Sequence, residues 1–334
     1  MSGILYLVAT PIGNLEDMTF RAVRVLKEAD LIAAEDTRNS IKLLNHFEIR
    51  TPMTSYHEFN KYDKADHLIG KLLEGQNVAL ITDAGTPGIS DPGEVLVAKC
   101  FEAGVPVVPV PGACAAVNAL IASGQPTRRF VFEAFLPSDK KERRAVLEAL
   151  KNETRTIIIY EAPHRLVKTL KELCDVLGSV RELTLCKELT KKHESFVMTT
   201  LGGAVKSFDD SWDDSESGGD KGSEDVHSSD GFYDSDAGIG DPGDRGDEGN
   251  SDAGIRGDKT VPRGEYVLVI RGKSAEKLEA DKAAAWQDIS VVEHVEKYIS
   301  GGMTKKDAIK QVAVERGVPK REVYAEVERS AEKL

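Results

Sequence analysis

Short apolar runs alternate with amphipathic segments along the first 124 residues. The apolar runs are ILYLVA at 4–9, LIAAED at 31–36, NVALITD at 77–83 and VPVVPV at 105–110. Segments with helical spacing lie between or after them, at 20–29, 64–75, 94–104 and 113–124. Short, wholly apolar strands are typical of sheets that are buried on both faces. The alternation predicts an N-terminal α/β domain over 1–124, with a mostly parallel sheet covered by helices.

A second series of strands and helices begins near Arg129. Predicted strands lie at 130–135, 154–161, 181–189 and 265–272, and predicted helices at 142–152 and 164–178. This series predicts a second α/β domain over 125–272, interrupted between its third and fourth strands.

The interruption at 207–260 is strongly acidic. It contains 17 Asp and Glu against 4 Lys and Arg, a local charge of −13 in a chain whose net charge is −12. The overall charge therefore says little about what the rest of the chain binds. Rich in Asp, Gly and Ser, the segment is predicted to be a disordered insert. Its SDAGI repeat, at 235–239 and 251–255, does not have EF-hand spacing.

The C-terminal residues 285–334 predict a small helical module. VVEHVEKYI at 291–299 is followed by Gly301 and Gly302, a second helix begins at Thr304, and Pro319 opens a third. This is a helix-turn-helix outline. It is equally compatible with nucleic-acid binding and with a three-helix packing element, since the last helix carries both acidic and basic residues.

Composition narrows the functional classes. No apolar run approaches the ~18 residues of a spanning helix, and the N-terminus has no basic leader, so a cytoplasmic protein without membrane contact is predicted. The four cysteines form no CxxC pair, which favours reduced thiols and predicts no metal site.

Four predicted strand ends of the first sheet carry chemically distinctive residues. They are 10–14 (TPIGN), 35–38 (EDTR), 83–93 (DAGTPGISDPG) and 111–115 (PGACA). Ligands of open α/β sheets bind beyond the carboxyl ends of the strands. The chain has neither a G-x-G-x-x-G after its first strand nor a P-loop, so a small nucleoside-type cofactor without phosphate is favoured over a dinucleotide.

Seven motifs, in order, resemble the tetrapyrrole-methylase-like family. They are LVATPIGNLEDMT (7–19), AAEDTR (33–38), SYHE (55–58), TDAGTPGISDPG (82–93), VPGACAA (110–116), YEAPHR (160–165) and KELTKKHE (187–194). The resemblance implies two α/β domains with S-adenosylmethionine in the cleft between them, and a homodimer. Through the bacterial members that act on ribosomal RNA, it implies 2′-O-methylation of a cytidine in the decoding region of 16S rRNA, free or in the small ribosomal subunit.

The chain departs from the family pattern at three places. Ala113 stands where the family usually has proline, and Ala134 where it usually has glycine. After Glu194 the sequence SFVMTTLGGAVKSF leads into the acidic segment, so a local rearrangement of the second domain is expected there.

The resemblance also implies site residues. The residues that would line the donor pocket are Pro11, Gly13, Asp83, Ala84, Gly85, Pro87, Ser90, Ala113 and Cys114, joined from the second domain by Glu161 and Leu189. The candidates for phosphate contact are Arg38, Arg165, Lys191 and Lys192.

Methyl transfer to a hydroxyl requires removal of its proton, so a general base is expected. The acid–base candidates are Glu35, His57, Glu58 and Glu188, with Lys187 placed to polarise the hydroxyl. Two other functions stay open: a methylase of a small molecule such as a tetrapyrrole, and a nucleic-acid-binding regulator that uses the C-terminal helices.

Overall fold

The structure is a computed structural model that describes residues 1–209, 262–284, 286 and 289–331. Contacts divide the chain into two units, Met1–Lys151 with Arg155–Arg271 and Asn152–Thr154 with Gly272–Leu334. The larger unit contains both α/β domains. Most of the predicted disordered insert lies outside the described residues, so that interpretation stays a prediction.

The first sheet is entirely parallel, with strand order β3-β2-β4-β1-β5. Its strands are β1 (Leu5–Val8), β2 (Leu31–Ala34), β3 (Met53–Ser55), β4 (Val78–Ile81) and β5 (Val107–Val110). The helices are α1 (Phe20–Glu28), α2 (Thr37–His46), α3 (Lys61–Leu73), α4 (Gly93–Glu102) and α5 (Ala115–Ala122), with a short 3₁₀ helix at Leu15–Asp17. The predicted parallel α/β architecture is confirmed.

Alternate strand residues enter two apolar clusters on opposite faces of this sheet. Ile32 and Ala34 join the cluster under α1, whereas Ala33 joins the cluster under α3. All four residues of β4 are buried. Burial of both faces explains why the strands are apolar throughout rather than alternating with polar residues.

The second sheet is mixed, with strand order β6-β7-β10-β8-β9. Its strands are β6 (Phe130–Phe135), β7 (Thr156–Glu161), β8 (Glu182–Lys187), β9 (Ser195–Thr200) and β10 (Tyr266–Ile270). Its helices are α6 (Lys140–Leu150), α7 (Pro163–Leu177) and α8 (Leu201–Phe208). Only β6 and β7 are parallel; β10 pairs antiparallel with both β7 and β8. The segment after Glu194, where we expect a rearrangement, forms a regular edge strand and a helix.

Ala134 lies in an irregular part of β6. The pairing register with β7 shifts between Phe132 and Phe135, and Ala134 adopts the left-handed conformation with φ +51°. This conformation is costly for a residue with a β-carbon. It gives a physical reason why glycine would be preferred at this position.

The smaller unit is helical. It consists of α9 (Ala275–Ala284), α10 (Val291–Ser300), α11 (Lys305–Glu315) and α12 (Lys320–Ala331). A capping box formed by Ser290 and Glu293 begins α10, and Val295, Ile309 and Val323 lie in a shared apolar core. The predicted C-terminal helical region is confirmed. Across the described part of the chain, no helix combines the length and the apolar character needed to cross a membrane.

Candidate active site

The 82–93 loop is hydrogen-bonded to other loops at the carboxyl end of the first sheet. Thr10 and Gly85 exchange two backbone hydrogen bonds of 2.9 and 3.1 Å. The Thr86 hydroxyl donates to the Ala113 carbonyl over 2.9 Å. The loops 10–14 and 111–115 are therefore both hydrogen-bonded to the 82–93 loop.

Asp83 joins the 35–38 loop to this group. Its carboxylate accepts hydrogen bonds of 3.1 Å from the Asp36 backbone N–H and from the Asn39 side-chain amide. Asp83, predicted as an acidic cofactor contact, is thus already engaged in holding two loops together. We call the four connected segments 10–14, 35–38, 82–93 and 111–115 the edge loops.

Asp91 shapes the second half of the 82–93 loop. Its carboxylate accepts backbone hydrogen bonds from Gly88 at 2.8 Å, Ile89 at 3.1 Å and Gly93 at 2.8 Å. Ser90, between them, adopts a left-handed conformation with φ +65°. The turn is therefore fixed from within, and Asp91 leads directly into α4.

Small residues allow the edge loops to approach one another closely. A β-carbon at Gly85 would lie 3.2 Å from Ile12 Cγ2, and one at Gly112 would lie 2.8 Å from Ala9 Cβ. At these two positions the chain packs tightly against its neighbours, with no room for a larger side chain. Of the other residues predicted to line the donor pocket, Ala84 is exposed, Pro11 and Cys114 are half-buried, and Pro87 is buried.

Glu35 is a half-buried carboxyl group among other acids. Burial raises the pKa of Glu35, and the nearby Asp83 and Asp91 carboxylates raise it further. A hydrogen bond from the Asp83 backbone N–H and the proximity of His57 act in the opposite direction, but the pKa of Glu35 stays above its ordinary value. A carboxyl group with a raised pKa at a strand end is a candidate acid–base group.

His57 and Glu58 follow β3 and have different partners. The His57 Nδ1 atom is buried without a hydrogen-bond partner, and the Asn60 amide lies 3.3 Å from Nε2. The Glu58 carboxylate accepts a hydrogen bond from Lys61 over 2.5 Å at the surface. The charge of His57 slightly lowers the pKa of Glu35, whereas Glu58 forms an ion pair with Lys61.

The second domain contributes apolar contacts to the edge loops. Leu189, which is 6 % exposed, lies in an apolar cluster against which Ile12 and Cys114 pack. The Tyr160 hydroxyl accepts a 2.9 Å hydrogen bond from the Ala116 backbone N–H, at the first turn of α5. Leu189 thus packs against the edge loops, and its role in donor binding stays a prediction.

Glu161 lies inside the second domain. Its carboxylate accepts hydrogen bonds from the Thr169 hydroxyl at 2.5 Å and the Ala162 N–H at 2.9 Å, and Arg165 Nε lies 3.5 Å away. Arg165 also donates to the Leu136 carbonyl over 2.8 Å. The structure engages both side chains in contacts within the second domain. The predicted donor contact of Glu161 and the predicted phosphate contact of Arg165 stay predictions.

Glu188 and Lys191 form one charged group. Lys191 Nζ donates to Glu188 Oε1 and to Glu265 Oε2, each over 2.9 Å. Although burial opposes ionisation of Glu188, the Glu265 N–H and the Lys191 ammonium lower the pKa of its carboxyl group below the ordinary value. Lys187, at the end of β8, is half-buried.

The remaining basic candidates are at the surface. The Arg38 side chain is 88 % exposed and donates two hydrogen bonds, of 3.1 and 2.7 Å, to Asp36. Lys192 is exposed.

Sequence reasoning missed three contributors: Asn39, Tyr160 and Glu265. Tyr160 lies inside the YEAPHR motif, which was a usable signal. The sequence around Asn39 and Glu265 gives no signal, because their hydrogen-bond partners, Asp83 and Lys191, are distant along the chain.

Comparison with known proteins defines the class. The sequence profile of the family described as Tetrapyrrole (Corrin/Porphyrin) Methylases matches residues 4–205. The crystal structure of a diphthine synthase superposes with a TM-score of 0.53 and 13 % sequence identity, covering 84 % of this chain and 94 % of that one. This likeness concerns the fold alone. The chain belongs to the Tetrapyrrole (Corrin/Porphyrin) Methylases.

The names of similar curated proteins are more specific than the family description. A protein of Halalkalibacterium halodurans is 46 % identical over 322 residues, which cover 96 % of this chain and 93 % of the relative. A protein of Bacillus subtilis is 44 % identical over the same shares. Both are named Ribosomal RNA small subunit methyltransferase I. The predicted family resemblance is confirmed.

Proposed function

We propose that this protein transfers a methyl group from S-adenosylmethionine to the ribose 2′-hydroxyl of a cytidine in 16S rRNA. The names of its relatives support ribosomal RNA of the small subunit as the substrate class. The 2′-oxygen, the cytidine and the decoding region follow from the resemblance of the seven motifs. A cytoplasmic homodimer stays a prediction.

The single observation that carries the proposal is the joining of the edge loops around small residues. The loops 10–14, 82–93 and 111–115 contain no basic side chain. They offer backbone groups and carboxylates, which suit a cationic sulfonium and a neutral adenosine better than a phosphate. When bound, S-adenosylmethionine supplies an electrophilic methyl group.

We assign donor binding to the edge loops and to Leu189. From the edge loops, the proposed residues are Pro11, Gly13, Asp83, Ala84, Gly85, Pro87, Ser90, Ala113 and Cys114. Leu189 would exclude water from the side of the second domain. Glu161 is left out, because its carboxylate is fully buried and hydrogen-bonded inside that domain. Asp83 is hydrogen-bonded too, but it is exposed.

We assign the general base to Glu35. Its raised pKa makes the carboxylate a stronger base than an exposed glutamate, and a positioned base contributes ~10²–10⁴-fold to rate. His57 and Lys187 stay candidates, the first as an alternative acid–base group and the second for polarising the hydroxyl. Glu58 and Glu188 are weaker candidates, because each is paired with a lysine.

RNA contact is proposed for Arg38 and Lys192. The helical unit offers one face that is poorly suited to phosphate. A cavity of about 390 Å³ in this unit is lined by Trp286, Arg316 and three carboxylates, Glu315, Glu322 and Glu326, among other residues. The negative charge would repel an RNA backbone.

The test is methyl transfer from labelled S-adenosylmethionine to small ribosomal subunits or 16S rRNA, with the product mapped by resistance to alkaline cleavage. A protected cytidine supports the proposal. Methylation of a porphyrin precursor instead would support the small-molecule alternative, and RNA binding without any transfer would support the regulator.

Glu35→Gln tests the assigned base. We expect kcat to fall by ~10²–10⁴-fold. In the unmodified protein, activity should fall as the pH drops through the raised pKa of Glu35, because the base must be deprotonated. Glu28→Gln, on the surface of α1, is the control. A Glu35→Gln protein with undiminished kcat would exclude Glu35 as the base.

A further inference from the structure

Lys191 carries its aliphatic chain across Gly13. A β-carbon at Gly13 would lie 2.4 Å from Lys191 Cγ and 2.9 Å from Cε, closer than real side chains approach. The Gly13 backbone is not in the left-handed region, so the backbone conformation alone does not demand glycine. The space that a side chain at position 13 would take is occupied by a lysine from the second domain.

The ammonium end of Lys191 is fixed by two carboxylates of the second domain. It donates to Glu188 and Glu265, and Glu188 is bound in turn to the Glu265 backbone by two hydrogen bonds of 2.9 Å. Gly264 lets these groups approach, since a β-carbon there would lie 2.5 Å from Glu188 Cγ. Lys191 is therefore anchored at its charged end and pressed against the first edge loop along its stem.

The backbone around Lys191 is held in an uncommon conformation. Glu188 and Thr190 have φ values of +51° and +64°, in the region that favours glycine. Such conformations persist where surrounding contacts fix them. Between these two residues, Leu189 enters the apolar cluster against which Ile12 packs. The loop thus meets the first edge loop at two positions, Leu189 and Lys191.

We propose that Lys191 is a positioning residue that fixes the 10–14 loop against the second domain and so shapes the methyl-donor pocket. The set Gly13, Glu188, Lys191 and Glu265 is called the Lys191 bridge. This inference rests on the proposed function, because it takes the 10–14 loop as a wall of that pocket. It replaces the prediction that Lys191 contacts RNA phosphate, since its charge is already shared by two carboxylates.

The first test separates the bridge from an RNA contact. In the full-length protein, Lys191→Met keeps much of the stem but loses the ammonium. We expect its Kd for S-adenosylmethionine, measured by calorimetry, to rise about tenfold, because small misplacements of a site are costly. The KM for small subunits should change less than about twofold, with the same salt dependence.

Lys99→Met is the matched control. Lys99 has a similar exposure, 27 % against 29 % for Lys191, and is paired with Asp66 in the first domain. Its donor Kd should not change. The bridge is overturned if Lys191→Met leaves the donor Kd unchanged. A rise in the KM for small subunits, with a weaker dependence on salt, would instead indicate a lost phosphate contact.

A double-mutant cycle tests the Gly13 contact. Gly13→Ala alone should raise the donor Kd about tenfold, because the new methyl group displaces the Lys191 stem. In a Lys191→Ala background the same change should raise it less than about twofold, since the space is empty. An equal effect in both backgrounds would show that Gly13 acts on the donor directly, and would overturn the bridge.

The failure of the proposed function is a separate outcome. If the unmodified protein binds no S-adenosylmethionine, the proposed function fails, and the bridge is judged by hydrogen exchange without donor. Lys191→Ala should then speed exchange in the 10–14 segment about tenfold or more. Unchanged exchange there would overturn the bridge, whatever the protein binds.

Discussion

Replacing the Glu161 carboxylate by an amide distinguishes a structural role from donor binding. The side chain is buried, and it accepts hydrogen bonds from Thr169 and from the Ala162 backbone. In Glu161→Gln, one position becomes an NH₂ donor. The Thr169 hydroxyl already accepts a 2.7 Å hydrogen bond from Arg143. If the new NH₂ group faces this hydroxyl, the Thr169 proton loses its carboxylate acceptor.

The magnitude follows from the contacts that are lost. The substitution removes one hydrogen bond to a carboxylate and the negative charge beside Arg165. A hydrogen bond to a charged group contributes ~1.5–3 kcal/mol to stability. We expect the free energy of unfolding to fall by about 2 kcal/mol. At ~2–4 °C per kcal/mol for a unit of this size, Tm should drop by roughly 4–8 °C.

The assay pairs urea unfolding with donor calorimetry. Glu182→Gln makes the same chemical change at an exposed ion pair with Arg271 and should cost less than ~0.5 kcal/mol. Donor Kd should stay within about twofold of the unmodified protein for both variants, because neither lines the proposed pocket. The structural role of Glu161 would be refuted if Glu161→Gln kept its full stability but bound the donor about tenfold more weakly.

Two further predictions concern backbone strain and pH. Ala134→Gly should raise the free energy of unfolding by about 0.5–1 kcal/mol, because it relieves the left-handed conformation at φ +51°; Ala145→Gly, in the middle of α6, should instead lower it by about 1 kcal/mol. A thermal melt checks both, and a lower Tm for Ala134→Gly would contradict the assignment of strain. Burial, and then the Arg316 charge, lower the pKa of His294, so the helical unit should lose stability as the pH falls below about 6.5. Hydrogen exchange of α10 and α11 in the full-length protein measures this; equal protection at high and low pH, or a pH effect that persists in His294→Gln, would contradict it.

The local pattern predicted most of the helices and strands, but it missed β3, β9, α8, α9 and α2. The most informative of these is α2. The sequence TRNSIKLLNH is largely polar, and its helix begins where Asp36 accepts a hydrogen bond from the Arg38 backbone N–H. The segment buries little beyond Ser40 and Leu44. Its apolar residues are few, but they recur with helical spacing, so the sequence did carry a signal for this helix.

For the candidate site, the sequence located the loops but not the pairings between side chains. Glycine and proline favour turns, so TDAGTPGISDPG was predicted to be a loop. Lys191 shows no such mark, because its partners Gly13 and Glu265 are distant in sequence. The role of a long charged side chain depends on which carboxylates the fold brings to it, and periodicity does not encode this.

The position of β10 at the centre of the second sheet has a consequence for synthesis on the ribosome. It separates β7 from β8, yet about 65 residues lie between the end of β9 at Thr200 and the start of β10 at Tyr266. At ~5–20 residues per second, the ribosome takes roughly 3–13 s to make that stretch. During this interval β7 and β8 each lack a neighbour that the finished fold supplies, and unpaired strand edges favour aggregation. Completion of this sheet is therefore timed by translation of the acidic segment.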